Sequence, residues 1–97
     1  MLTMRHMKNL GFRIGLKGTL YLRAVVNCIL DQPKNPRPKL ITEVYPAVVE
    51  EFGVTVAAID KGIRHAIANC NDRSMKGKPS DVIWELVERY LDGEFDA

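Results

Sequence analysis

Between Val56 and Asn71, Ile59, Ile63, Ala66, Ile67 and Cys70 fall at positions i, i+4, i+7, i+8 and i+11. That spacing brings apolar side chains onto one face only in an α-helix. The same period governs most of the chain. Leu2, His6, Met7 and Leu10 share one side of a short segment, and Leu20, Tyr21, Ala24, Val25, Cys28 and Ile29 make a stripe between Gly18 and Leu30. Leu40, Ile41, Val44, Ala47, Val48 and Phe52 follow, and Ile83, Leu86, Val87, Tyr90 and Leu91 close the series. No stretch makes a convincing strand, so the expected fold is an all-α bundle of about five helices.

Breaks between these stripes come from residues with a physical reason to stop a helix. Gly11, Gly53 and Gly93 supply C-terminal stops. The run Asp31-Gln-Pro-Lys-Asn-Pro-Arg-Pro-Lys39 contains three prolines, each lacking a backbone N–H, and reads as an exposed loop carrying Lys34, Arg37 and Lys39. Pro46 fits only the first turn of a helix, so it opens a fresh helix or kinks a longer one. Thr55 is placed to cap the helix 56–71. Asn71 to Pro79 reads as a polar connection with Lys76 and Lys78, and the last helix is expected to start at Ser80, with Asp81 at its positive end. Glu94 to Ala97 reads as a short acidic tail.

The segment Tyr45 to Ile67 joins these signals into a helix-turn-helix pattern. Val48 and Phe52 face inward on the first helix, Gly53 takes the left-handed turn, and Val54 plugs the corner. Ile59 and Ile63 anchor the second helix, leaving Ala57, Ala58, Lys61, Arg64, His65 and Ala68 on its outer surface. A guanidinium at Arg64 suits two parallel hydrogen bonds to guanine, or a phosphate, and Lys61 suits either as a point charge. Small Ala57 and Ala58 permit close approach. Asp60 has three readings: an ion pair with Arg64 at i+4, a favourable charge near the helix N-terminus, or an acceptor for a cytosine amine. The candidate DNA-binding set is therefore Thr55, Ala57, Ala58, Asp60, Lys61, Arg64, His65, Lys76 and Lys78.

Charge supports a polyanionic partner without requiring one. Residues 1–40 carry eight Lys or Arg against one acid, a net +7, whereas residues 41–97 carry six against eleven, a net −5. Such polarity suits a phosphate-attracting face, and equally an acidic part docking on the chain's own basic part. At 97 residues, 46% hydrophobic and 27% charged, the chain matches one soluble domain, 1–97, with a modest core. Every apolar run is interrupted well short of the roughly 20 residues that cross a bilayer. Arg5 and Lys8 lead into Gly11 and Arg13 rather than into a signal-peptide core, so a cytoplasmic location is expected.

Other chemistries find no foothold in the residues. Cys28 and Cys70 stand on apolar faces without metal-ligand spacing, and reduced core thiols are expected. His65 and His6 have no Ser, Cys or paired carboxylate placed to work with them. Glu85, Glu88 and Asp92 recur as the solvated face of the last helix. Gly15 and Gly18 fall short of a phosphate-binding loop. No enzyme, metal or cofactor is expected.

Three blocks, Leu16-Lys-Gly-Thr-Leu-Tyr-Leu-Arg23, Ile41-Thr-Glu-Val-Tyr-Pro46 and Ile63-Arg-His-Ala-Ile67, carry a family resemblance, and Lys76-Gly-Lys-Pro79 adds a fourth. From about Gly11 to Leu91 the chain resembles the C-terminal effector domain of the stage-zero sporulation response regulators. The resemblance implies a helical bundle that binds a short DNA box as a head-to-tail pair and contacts RNA polymerase. Arg64 and His65 match the family pattern. Ala57 and Ala58 stand where the family has polar or charged residues, and Asp60 and Lys61 where it has Glu and Arg. The connection after Arg73 is shorter, and the family's phosphoacceptor receiver domain is not part of this sequence, so control by aspartyl phosphorylation is not carried over. The leading expectation is a sequence-specific DNA-binding transcription regulator. The alternative is a dimerisation or interaction module modulating a full-length regulator, with little or no specific DNA binding.

Overall fold

A computed structural model describes residues 1–32 and 38–95, which form five α-helices and no strand. These are α1 (Met4–Asn9), α2 (Lys17–Leu30), α3 (Tyr45–Phe52), α4 (Val56–Ala68) and α5 (Pro79–Leu91), with a π-helical turn at Leu40–Val44 leading into α3. Lys34 and Arg37 of the proline-rich loop lie outside the described residues.

α2 is the central helix and packs against α1, α3, α4 and α5. Its buried residues are accordingly broader than the expected stripe. Tyr21, Val25 and Ile29 are buried, but so are Leu22 and Val26, while Leu20, Ala24 and Cys28 are only partly covered. A helix walled on several sides buries a wider sector than one amphipathic stripe. The core joins these residues to Val44, Tyr45 and Val48, to Ile59, Ile63, Ala66 and Ile67, and to Val82, Ile83, Leu86 and Val87. Each fully buried Leu, Ile or Val contributes about 1.5–3 kcal/mol relative to exposure.

The α2–α4 contact is the most extensive in the fold, and two glycines make it possible. A Cβ on Gly18 would overlap the Gly62 carbonyl and meet Ala66 Cβ at 3.1 Å; one on Gly62 would stand 2.9 Å from the Tyr21 ring. At Gly18 the backbones therefore meet directly, and at Gly62 the Tyr21 ring of α2 packs straight onto the α4 backbone.

Polar anchors fix the flanks. The Asn27 amide accepts from Leu2 N at 2.9 Å and donates to Leu2 O at 3.0 Å, tying the N-terminus to α2. The buried Thr19 hydroxyl donates to Arg13 O at 2.7 Å. His6 is half-buried, and its role is local. Its N–H donates to Thr3 Oγ1 at 3.2 Å and its Nδ1 accepts from Thr3 N at 3.1 Å, closing the start of α1.

Several element ends differ from the sequence reading. Pro46 does open a new helix, at its first turn, but Leu40–Val44 forms the π-helical turn before it, and Ile41 is 65% exposed. α4 stops at Ala68, not Asn71, because the Asn69 amide donates to His65 O at 2.9 Å and Asn71 N is drawn away to Gly11 O at 2.9 Å. α5 starts at Pro79, one residue before Ser80, and the Asp81 carboxylate accepts from Lys78 N at 3.0 Å. On α5, Val82 is buried and Leu91 is 70% exposed. Past Gly93 the chain turns back, and the half-buried Phe95 covers the end of the helix against Tyr90 and His6, with ring centroids 6.3 and 5.3 Å away. Over the described part of the acidic tail, Glu94 is exposed and Phe95 packs onto the fold.

Candidate nucleic-acid interface

α3, three connecting residues and α4 form the helix-turn-helix unit. Gly53 has φ 65° and ψ 35°, the left-handed conformation in which a Cβ would be strained, and its N–H closes α3 onto Val49 O at 2.8 Å. Val54 is half-buried at the corner. The Thr55 hydroxyl accepts from Ala58 N at 3.1 Å and so caps α4. On the far side of the first helix, Phe52 meets the Tyr21 ring edge-on at 5.2 Å between centroids, fixing α3 to α2.

With Ile59, Ile63, Ala66 and Ile67 buried, the opposite face of α4 is turned outward. Ala57, Lys61, Arg64, His65 and Ala68 are exposed, and Ala58 and Asp60 are half-buried. Arg64 Nε donates to Asp60 Oδ2 at 2.8 Å, which realises the intrahelical ion pair among the three readings of Asp60. Lys61 has no ion-pair partner among the described residues. His65 Nδ1 lies 3.4 Å from the Asn69 amide nitrogen, a geometry that favours the tautomer with its proton on Nε2.

Arg64 stands between two hollows. One, of about 470 Å³, is lined by Lys39, Leu40, Ile41, Tyr45, Asp60, Arg64 and Lys78 with the start of α5. The other, of about 510 Å³, is lined by Arg64, Ile67, Ala68, Arg73, Met75, Lys76 and Gly77 among others. The connection therefore brings Lys78 to one flank of α4 and Lys76 to the other, both exposed. It also brings Arg73, which the sequence reading did not single out, while the turn before α3 brings Lys39, which that reading left in the basic loop. The available signal was positive charge in the segments bordering α4. What placed those charges was invisible: Met75 is 2% exposed and anchors the connection, and the Asp72 carboxylate accepts from Ser74 N and Oγ at 2.9 and 2.7 Å.

Local electrostatics follow from these contacts. Burial raises the Tyr45 phenol above its ordinary value and the Asp60 charge raises it further, while Arg64 opposes them, so the ring lies within reach of the Asp60–Arg64 pair. The two Ser74 hydrogen bonds hold Asp72 below its ordinary 3.8. Cys28 and Cys70 are free thiols, both raised chiefly by burial.

An outward helix with grouped cations, seated behind a capped left-handed turn, is the arrangement by which a helix-turn-helix presents side chains to a duplex. The family described as Sporulation initiation factor Spo0A C terminal matches residues 3–90. The chain belongs to this family. It is a DNA-binding effector domain of the Spo0A type, in the class of transcription regulation and sporulation. No solved structure matches the chain significantly. Among the described residues, no helix is long and apolar enough to cross a membrane.

Proposed function

We propose that this domain binds double-stranded DNA sequence-specifically as a transcription regulator, inserting α4 into the major groove. The observation that carries the reading is the exposed Lys61–Arg64–His65 face on a helix whose other side is locked into the core. Arg64 reads a guanine edge, Lys61 and His65 contact neighbouring base edges or phosphates, and Ala57 and Ala58 let the front of the helix approach closely. Thr55 contributes its hydroxyl at the groove rim, and Lys76 and Lys78 hold backbone phosphates on either flank. The proposal extends, by the resemblance to the sporulation effector domain, to a head-to-tail pair on the DNA and contact with RNA polymerase, and to a cytoplasmic location.

Fluorescence anisotropy against duplex DNA tests it. Affinity falls steeply as salt rises, because bound cations release counterions. Arg64→Ala costs about 1–3 kcal/mol and relaxes preference at one position if Arg64 reads a base. Undetectable binding at low salt by the folded protein overturns the proposal.

Two observations favour the competing reading of an interaction module. Two alanines front α4, and the Arg64 charge is already paired at 2.8 Å. A stable heteromer with a full-length relative, formed equally well without DNA, would support it.

A further inference from the structure

Asp60 is the only acid in α4, and its position needs a reason. An acid beside a polyanion opposes binding. Asp60 is the fifth residue of the helix, beyond the first turn in which a negative charge gains most from the helix dipole. Its pair with Arg64 is solvent-exposed, with 59% of the arginine side chain and 39% of the aspartate accessible, and such pairs add little to stability. What the pair does accomplish is geometric. The carboxylate engages Nε, at 2.8 Å, so the side of the guanidinium nearest the helix is committed to it. The two terminal amino groups are not used in that contact and make a pair of donors spaced to match N7 and O6 of guanine. Tyr45, 3% exposed, adds a rigid wall from α3 to the same hollow that Asp60 and Arg64 line.

We propose that Asp60 is a positioning residue that fixes the Arg64 guanidinium for end-on recognition of guanine and reads no base itself. The inference rests on the major-groove reading above. It departs from treating every polar residue on the outer face as a base contact. Arginine has several rotatable bonds, and holding Nε in the free protein removes part of the ordering cost at binding.

Binding of Asp60→Ala, Asp60→Asn, Arg64→Ala and the Asp60→Ala/Arg64→Ala double variant is measured on a selected duplex and on duplexes changed one base pair at a time. Circular dichroism verifies each fold. Asp60→Ala loses about fivefold or more of the discrimination at the base pair Arg64 reads. Asp60→Asn, which keeps an oxygen for Nε, retains most of it. Affinity for unrelated duplex rises in both as a negative charge is removed. In the Arg64→Ala background, Asp60→Ala changes that discrimination by less than about twofold, because the two residues act as one unit. A preference shift at a different base pair that persists without Arg64 makes Asp60 a direct reader and overturns the proposal. Unchanged discrimination with only a lowered Tm reduces the pair to a structural contact and also overturns it. Wild-type protein with no preference among duplexes removes the groove reading itself. A wild-type preference left intact in Asp60→Ala removes only this inference.

Discussion

Gly18→Ala tests whether the backbone contact between α2 and α4 holds the DNA-facing helix in place. The added methyl would overlap the Gly62 carbonyl and crowd Ala66 Cβ at 3.1 Å. These atoms are helix backbone and a core methyl, and neither yields by swinging a flexible side chain. Overpacking of this kind costs about 1–3 kcal/mol, and sometimes more. Replacing glycine in a helix returns up to about 1 kcal/mol, and less here because Gly18 is the second residue of α2. The net expectation is a loss of about 2 kcal/mol. For a domain of this size that lowers Tm by roughly 8–16 °C, since 1 kcal/mol corresponds to about 4–8 °C. Thermal melts followed by circular dichroism, with urea titrations at matched m-values, give the number. Gly15→Ala is the control: nothing lies within 4 Å of the added Cβ, so the change stays within about 0.5 kcal/mol. DNA affinity of Gly18→Ala falls as well, because α4 must move off α2. A Gly18→Ala protein as stable as wild type, with undiminished DNA binding, refutes the close-contact account.

Further outcomes follow from single contacts. Thr55→Ala removes the hydroxyl that accepts from Ala58 N and lowers stability by about 1 kcal/mol without DNA present, measured by urea titration. Asp72 has a depressed folded-state pKa, so its contribution to stability is present above its unfolded value near 3.8 and is lost as pH falls through the lower folded value; Asp72→Asn flattens that part of a stability–pH curve. Arg73→Ala weakens DNA binding about equally across sequences and reduces the salt slope by about 1, as expected for a phosphate contact.

The sequence carried the fold where local chemistry decides it. The stripe of Ile59, Ile63, Ala66 and Ile67, the left-handed Gly53 and the Thr55 cap depend on neighbours within a turn or two. Element ends that depend on distant partners were less legible. Asn71 leaves α4 because Gly11 O awaits it, and it is Phe95, not Leu91, that packs at the end of α5, against Tyr90, while Leu91 is exposed. The outer face of α4 was readable for the same reason as its inner face: helical period assigns both. Arg73, Lys76 and Lys78 become neighbours of Arg64 only once Met75 is buried and the connection is folded back, and Lys39 only once the turn at Leu40–Val44 sets it opposite Lys78. No spacing rule within one segment contains that information. Asp60 shows the remaining limit: spacing permitted three roles, and the 2.8 Å contact to Arg64 that realises the ion pair needed the folded chain.

Chemical probing of guanine N7 in a duplex selected by the domain tests the central proposal most directly, because N7 lies in the major groove. With α4 in that groove, wild-type protein protects at least one guanine N7 from methylation, and Arg64→Ala loses protection at that guanine while the flanking contacts persist. Protection confined to the minor groove, or a major-groove pattern identical in Arg64→Ala, would contradict the assignment of α4 and Arg64 as the reading element.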